Sequence, residues 1–224
     1  MTIDLTKVPE LIHSSRPPSF DLLGESTRRW KVVYMTPPWL FKHRSKKGDT
    51  KKPGGIAKPS IGFADLASLP LSDLLEKDAI VFVWAPDGQI NKLLSLFDIW
   101  GLRYNGFAFY WARTREDTDR SAMHFERDLP MSTGYITRSN PIPLVMGVRG
   151  EPSLRKHLQQ DGSKKSRKDI RKLQFAPYTS GGAHPMFRDM VEQLYDGPYL
   201  ELFGPGAPGW DHWNVALSSV DKES

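Results

Sequence analysis

The sequence contains no cysteine among its 224 residues. This absence excludes disulfide frameworks, thiolate zinc sites and cysteine nucleophiles. The chain also lacks an apolar run near the about 20 residues that cross a bilayer, and its first 30 residues carry no apolar core of the signal-peptide kind. We therefore expect a soluble, intracellular protein with no membrane partner.

Negative charge is in short supply in two segments of the chain. Lys and Arg total 31 against 26 Asp and Glu, which gives a net charge of +5. Residues 42–52 contain six basic residues and one acidic residue, and residues 149–172 contain nine basic and three acidic. Both segments contain Gly and Ser without an apolar period, which predicts mobile surface loops, at 42–60 and 149–172. Such loops are either simply solvated or bind an anionic partner such as a phosphate backbone. The first also has the composition of a nuclear localisation signal.

Apolar runs alternate with helical spacing along the rest of the chain. Strands are predicted at RWKVVYM (29–35), AIVFVWAP (79–86), NGFAFYWAR (105–113), IPLVMGVRG (142–150) and YLELFG (199–204). Helices are predicted at 68–78, with Ser72 near the N-cap, at 90–97 and at 185–194. This alternation predicts an α/β fold with a mostly parallel sheet, flanked by helices on both faces. We expect a leader at 1–29, a single domain at 30–218 and a tail at 219–224.

Two strand ends have an unusual composition. Residues 36–39 are Thr-Pro-Pro-Trp, and residues 203–206 are Phe-Gly-Pro-Gly. Because ligands of open α/β sheets bind beyond the carboxyl ends of the strands, we expect a site between these two turns. The polar segment 113–141 is too long for a tight connection and is predicted to be a functional excursion.

A turn of the form X-Pro-Pro-aromatic suits the binding of a nucleobase amino group. Thr36 offers a side-chain oxygen, Pro37 and Pro38 fix the direction of a backbone carbonyl, and Trp39 offers a stacking surface. An amine held by two acceptors, on a base that has left its stack, can aim its lone pair at an electrophile. The alternative is a rigid strand-ending turn with a packed tryptophan.

The chain resembles the MT-A (seventy-kilodalton subunit) family of S-adenosylmethionine-dependent adenine N6-methyltransferases, and in particular its short bacterial and phage members. The resemblance extends from about Trp30 to Asn214 and depends on VVYMTPPW, VFVWAP, WGLRYNGFAFYWAR, LVMGVRG and GPYLELFGPGAPGWDHW. It implies a Rossmann-like fold in which residues 36–39 hold the adenine. The implied cofactor is S-adenosylmethionine, with its binding residues at Glu201, Leu202, Phe203, Gly204, Asn214 and His184.

The same resemblance implies a nucleic-acid partner, with DNA favoured over RNA. The basic segments and the 113–141 excursion would contact the strand, and the implied contacts are Lys42, Arg44, Lys46, Lys47, Lys164, Lys165, Arg167 and Lys168. A homodimer, or a heterodimer with another methyltransferase-like subunit, is compatible with it. The protein would then be cytoplasmic and nucleoid-associated in a bacterium or phage, and nuclear in a eukaryote. No histidine pair has metal-ligand spacing, and no metal is expected.

Three residues depart from the family pattern where chemistry would occur. Thr36 replaces an aspartate, His184 replaces a lysine, and Pro205 follows Gly204 where some members have arginine. A neutral acceptor is roughly half as strong as a charged one, so a working enzyme would be slow. The departures leave three hypotheses: an active methyltransferase, a catalytically silent subunit that supports an active partner, and a stand-alone nucleic-acid binder.

Overall fold

The central feature of the computed structural model is a seven-stranded sheet; the structure describes residues 26–39, 60–119, 121–131, 139–179 and 182–213. The strands are β1 (Trp30–Met35), β2 (Leu75–Trp84), β3 (Arg103–Thr114), β4 (Ile142–Arg149), β5 (Lys156–Leu158), β6 (Lys164–Ser166), β7 (Leu173–Pro177), β8 (Tyr199–Leu202) and β9 (Trp210–Trp213). The helices are α1 (Phe63–Ala67), α2 (Leu71–Leu74), α3 (Ile90–Ile99), α4 (Phe125–Asp128) and α5 (Met186–Leu194), with a 3-10 turn at Asp87–Gln89. None of these helices is long and apolar enough to cross a bilayer.

The sheet has the strand order β7-β3-β4-β2-β1-β8-β9. The pairs β1–β2, β1–β8, β8–β9 and β3–β7 are parallel, whereas β4 is antiparallel to both β2 and β3. All five predicted strands are present, and the sheet is mostly parallel as expected. The antiparallel β4 is a departure from simple strand–helix alternation. It arises because β3 and β4 are joined without a helical crossover, which permits the chain to return directly beside β3.

Helices cover the sheet on both faces, as the α/β prediction requires. Val33 and Met35 of β1 point into one buried cluster with Leu66 of α1 and Leu96 of α3. Val32 and Tyr34 alternate to the other face, where the cluster includes Phe187 and Val191 of α5. The period-two alternation of β1 is therefore buried on both sides, which is typical of a central strand.

The strand directions divide the connections between two edges of the sheet. We call the edge at which β1, β2, β3, β7, β8 and β9 end the carboxyl edge, and the edge at which they begin the amino edge. Because β3 ends at the carboxyl edge and antiparallel β4 begins there, the connection between them starts and ends at that edge. Residues 150–172 join the end of β4 to the start of β7 and so lie at the amino edge. Because β1 leads to β2 over one face and α5 leads to β8 over the other, the topological switch point lies between β1 and β8.

The predicted helix at 68–78 is shorter than expected. Only Leu71–Leu74 are helical, the N-cap is Pro70 and not Ser72, and β2 already begins at Leu75. Ser72 instead donates its hydroxyl to the carbonyl of Trp100, at 2.9 Å. Pairing of Leu75 with Trp30 of β1 extends the strand into residues whose local pattern favours a helix, so a tertiary contact overrides the local propensity.

The segment 149–172 is predicted to be a loop, and this prediction is wrong for the part that forms strands. It contains the antiparallel hairpin β5–β6, in which His157 pairs with Lys165. The hairpin is attached to the last turn of α5: His157 Nε2 lies 2.6 Å from the carbonyl oxygen of Gln193, and the Arg155 amide donates to the carbonyl of Leu194, at 2.7 Å. These contacts satisfy carbonyls that a helix leaves unpaired at its carboxyl end, which explains why a polar segment is ordered here.

Phe187 is expected to be a main determinant of the stability of the fold. Its ring is fully buried and lies 4.8 Å from the ring of Trp84, 5.7 Å from that of Trp111 and 5.8 Å from that of Phe109. We expect Phe187→Ala to lower the free energy of unfolding by about 3–5 kcal/mol, because it removes buried area and leaves a cavity under α5. Phe125→Ala is the control, since Phe125 is 69% exposed and should change stability by less than about 0.5 kcal/mol. Urea unfolding measures both; equal effects would contradict the role of Phe187.

Candidate functional site

The turn after β1 is fixed at the switch point by backbone hydrogen bonds. The Thr36 amide donates to the carbonyl of Leu202, the last residue of β8, at 3.1 Å. The Pro37 carbonyl accepts the Trp39 amide at 2.9 Å, and the Pro38 carbonyl accepts the Ile61 amide at 2.8 Å. A carbonyl oxygen has two lone pairs, and the bonds from the described residues use one of them at each proline. The two predicted strand-end turns are neighbours at the carboxyl edge, as the sequence predicts.

The side chain of Thr36 has an unusual environment. Its Oγ1 is buried and has no hydrogen-bond partner in the part of the chain that the structure describes. Buried hydroxyls in proteins are nearly always paired, so an unpaired one marks a position where a ligand or water completes the site. The methyl group of Thr36 lies near Gly182, whose missing Cβ would be 3.9 Å from Thr36 Cγ2 and 3.8 Å from Pro205 Cδ. Thr36, Gly182 and Pro205 therefore meet at one point of the carboxyl edge.

Trp39 has a structural contact that the sequence did not predict. The side chain is 8% exposed and packs in the cluster beneath α1 and α3. Its indole Nε1 donates to the Trp84 carbonyl at the end of β2, at 2.7 Å. This bond ties the Pro-Pro turn to the neighbouring strand. The proposed stacking of Trp39 on a base stays a prediction, and most of the ring is already used for packing.

Glu201 is the buried charge of the site. It is 1% exposed, and both of its carboxylate oxygens accept from Arg188 Nη1, at 2.9 and 2.7 Å. Oε2 also accepts the Gly206 amide, at 2.8 Å. Burial raises the pKa of Glu201, while Arg188 and the Gly206 amide oppose that rise. The carboxylate thus lies on the α5 side of β8 and joins β8, α5 and the following turn.

The turn at 203–206 is shaped around this carboxylate. Phe203 has a left-handed backbone with φ of 65°, which is strained for a residue other than glycine. A Cβ on Gly204 would lie 2.2 Å from Glu201 Oε1, and a Cβ on Gly206 would lie 2.7 Å from the His212 ring. The glycines are therefore required by close approach of Glu201 and His212 to the backbone.

The other predicted cofactor residues have different outcomes. Leu202 is fully buried in the core, so only its backbone faces the edge. His184 precedes α5, and its Nδ1 accepts the Met186 amide at 3.3 Å, as a helix-capping residue would. Asn214 lies outside the described residues. So do the predicted nucleic-acid contacts Lys42, Arg44, Lys46 and Lys47.

Lys164, Lys165, Arg167 and Lys168 are not beside the Pro-Pro turn. They lie on the hairpin and the residues after it, which contact the last turn of α5 at the amino edge, whereas α5 begins near Gly182 at the carboxyl edge. The nine residues of α5 rise about 14 Å, so roughly that distance separates the hairpin from the site. Arg167 is moreover engaged by Asp169, at 2.6 Å, and by Gln193, at 2.9 Å.

Sequence reasoning missed three residues of the site. Arg188 is the partner of Glu201, Gly182 lines the edge, and Tyr34 accepts the Trp84 indole N–H at 2.6 Å beneath it. Burial raises the pKa of Tyr34, so its hydroxyl is neutral. Arg188 lies next to the apolar positions Phe187 and Val191 of an amphipathic helix. A charge at such a position is only a weak sequence signal for a buried ion pair.

The fold and its edge define the class of Rossmann-like α/β proteins whose ligand site lies at a topological switch point. Comparison with protein families gives a match to MT-A70 over residues 30–215, and the chain belongs to this family of S-adenosylmethionine-dependent methyltransferases. No curated protein matches the chain. The matched residues include both turns of the candidate site, so the resemblance inferred from the motifs is confirmed at the level of the family.

The Arg188–Glu201 pair is expected to behave as a buried ion pair. Replacing one partner leaves an uncompensated buried charge, so Arg188→Leu should lower the free energy of unfolding by about 3–5 kcal/mol. The double variant Arg188→Leu/Glu201→Leu should be more stable than the single variant, since no charge then remains buried. Arg28→Leu is the control, because the Arg28 side chain in its pair with Asp211 is 56% exposed and should contribute no more than about 1 kcal/mol. A double variant with a lower free energy of unfolding in urea than Arg188→Leu would contradict this account.

Proposed function

We propose that the chain transfers a methyl group from S-adenosylmethionine to the N6 amino group of an adenine in nucleic acid, with DNA favoured over RNA. The observation that carries the proposal is the buried Thr36 hydroxyl, which has no partner among the described residues and lies at the switch point. An amino hydrogen is the kind of donor that such an oxygen requires. Family membership supports the cofactor and the class of reaction.

The residues of the carboxyl edge are compatible with the cofactor. The turn at 203–206 brings backbone groups to the switch point, and the meeting of Gly182 with Pro205 and Thr36 keeps side chains out of the space between them. In the proposal, residues 202–204 and His184 contact S-adenosylmethionine, together with Asn214. The Glu201 carboxylate acts through the shape of the turn, because its oxygens are bound to Arg188 and Gly206. When bound, S-adenosylmethionine supplies an electrophilic methyl group on a sulfonium.

The chain's contribution to the chemistry is orientation of the amine. Thr36 Oγ1 accepts one amino hydrogen, and the free lone pair of the Pro37 carbonyl accepts the other. Together the two acceptors would orient the nitrogen lone pair for in-line attack, and a bound S-adenosylmethionine would supply the methyl group and keep the electron pair of the broken carbon–sulfur bond. No covalent intermediate with the protein forms. The proton of the amine passes to solvent, because a threonine hydroxyl is not a base at neutral pH.

A catalytically silent subunit is the second candidate, and a specific observation favours it. Three predicted site residues form hydrogen bonds within the fold. Glu201 accepts from Arg188, His184 accepts the Met186 amide at the start of α5, and Trp39 donates to the Trp84 carbonyl. If these residues serve only the fold and do not contact a cofactor, the chain would bind nucleic acid and support an active partner. The two functions differ in one property, since only the enzyme requires the chain itself to bind S-adenosylmethionine.

Titration of the purified protein with S-adenosylmethionine, alone and with an adenine-containing oligonucleotide, separates the two functions. We expect calorimetric binding in the micromolar range, which corresponds to about 8 kcal/mol. A protein that binds no cofactor at millimolar concentration would not be a stand-alone enzyme, and the silent-subunit hypothesis would replace it.

Variants of Thr36 test the acceptor. Thr36→Asp should raise kcat about 5- to 30-fold, because a charged acceptor adds roughly 1–2 kcal/mol in the transition state. Thr36→Val keeps the shape and removes the hydroxyl, and should lower kcat by at least a similar factor. Ser95→Ala, at an exposed position on α3, is the control. Methyl transfer that is equal in Thr36→Val and the parent would show that the hydroxyl does not hold the amine.

A further inference from the structure

The nine basic residues of 149–172 fall into two groups in the structure. Three arginines are used within the fold. Arg149 Nη1 donates to the Ser72 carbonyl at 2.7 Å, Arg155 pairs with Asp196 at 2.9 Å and Arg167 pairs with Asp169 at 2.6 Å. Of these contacts, the Arg155–Asp196 pair links the residues before the hairpin to the end of α5.

The six other basic residues share a different environment. All are exposed, and none forms an ion pair within the described part of the chain. They form what we call the basic hairpin surface: Lys156, Lys164, Lys165, Lys168, Arg171 and Lys172. The acidic residues of the segment offset only part of this charge, because there are three of them and Asp169 is already bound to Arg167.

The support of this surface is rigid. The β5–β6 ladder, the bond between His157 and the Gln193 carbonyl, and the bond from Arg155 Nη1 to the Glu192 carbonyl, at 2.7 Å, fix the hairpin on α5. A partner that binds here therefore does not incur the entropy cost of ordering a loop. Solvation alone does not require a docked ladder beneath lysines, whereas presentation of charge to a partner benefits from one.

We propose that the basic hairpin surface binds the phosphate backbone of a polynucleotide, at a place remote from the base that is methylated. This inference deepens the proposed function and rests on its assignment of a nucleic-acid substrate. The charge distribution supports this proposal. Lys164 and Lys168 are four positions apart in the chain, so the distance between their backbones is at most about 13 Å. A duplex presents one phosphate charge per about 1.7 Å of axis, so this span faces roughly eight charges.

The position of the surface has a consequence for substrate length. The hairpin lies about 14 Å from the carboxyl edge along α5, which corresponds to roughly four base pairs at about 3.4 Å each. A short oligonucleotide in the site would not reach the hairpin, whereas a long duplex would reach it. The surface therefore raises the affinity for long substrates and leaves methyl transfer to short ones unchanged.

The test uses the triple variant Lys164→Gln/Lys165→Gln/Lys168→Gln. Its binding to a 30-base-pair, adenine-containing duplex is measured as a function of salt concentration. This duplex is about seven times the minimum length of roughly four base pairs that reaches the hairpin. We expect roughly tenfold or greater loss of affinity near 0.1 M salt. The slope of log K against log salt should fall by about 2.7, from about 0.9 for each lost phosphate contact. Methylation of an oligonucleotide of about three nucleotides, which is shorter than that minimum length, should not change.

Two controls isolate the charge of this surface. The triple variant Lys164→Arg/Lys165→Arg/Lys168→Arg keeps the charge and should bind the duplex like the parent. Lys92→Gln removes a charge from α3, on the opposite face of the sheet, and should leave the salt slope unchanged. An unchanged slope in the glutamine triple, or equal losses in the glutamine and arginine triples, would overturn the proposal and would leave the surface for another partner, such as an acidic protein.

The design also separates this inference from the proposed function. A parent protein that never methylates, together with a glutamine triple that shows the expected loss of duplex affinity and slope, supports the basic hairpin surface and contradicts the enzyme. A parent protein that methylates short oligonucleotides, while the glutamine triple binds long duplex normally, supports the enzyme and contradicts the surface.

Discussion

The carboxylate of Glu201 is the group on which the geometry of the carboxyl edge depends. It lies at the end of β8, receives Arg188 from α5, and receives the Gly206 amide from the turn that follows. One charged group therefore fixes three separate segments relative to each other. A buried ion pair is an expensive way to stabilise a fold, because desolvation offsets most of its attraction. Its value here is positional, since it fixes the strained backbone of Phe203 next to Thr36.

Much of the fold could be predicted from the sequence because the central strands are short, apolar and bounded by Pro or Gly. The end of β1 at Met35, the start of the helix at Ile90 and the start of β8 at Tyr199 were all predictable from local patterns. The direction of β4 was not, since a buried strand has the same composition whether its neighbours run parallel or antiparallel. The hairpin at 156–166 was also missed, because its order comes from contacts with α5 and not from its own pattern.

The candidate site was predictable to the level of the edge and not to the level of side chains. That Thr36 and Phe203 meet follows from the rule for the carboxyl ends of parallel strands. The orientation of the Glu201 side chain depends on the pleat of β8. Glu201 pairs with Tyr34 of β1, so both side chains lie on the same face of the sheet, where Arg188 reaches the carboxylate. No spacing in the sequence links Arg188 to Glu201, because contacts between a helix and the next strand depend on the length of the loop between them. The family resemblance implies Glu201 as a cofactor contact, whereas the bonds of its carboxylate to Arg188 and to the Gly206 amide are visible only in the structure.

The antiparallel β4 affects how the protein can change over evolutionary time. Because β3 arrives at the carboxyl edge and β4 departs from it, the chain can place an insertion of any length between them without altering a single strand pairing. Asn140 closes the base of the present insertion, with its side-chain amide bonded to both backbone groups of Arg113 and to the Pro130 carbonyl. The length and sequence of this connection can thus diverge while the sheet is inherited unchanged.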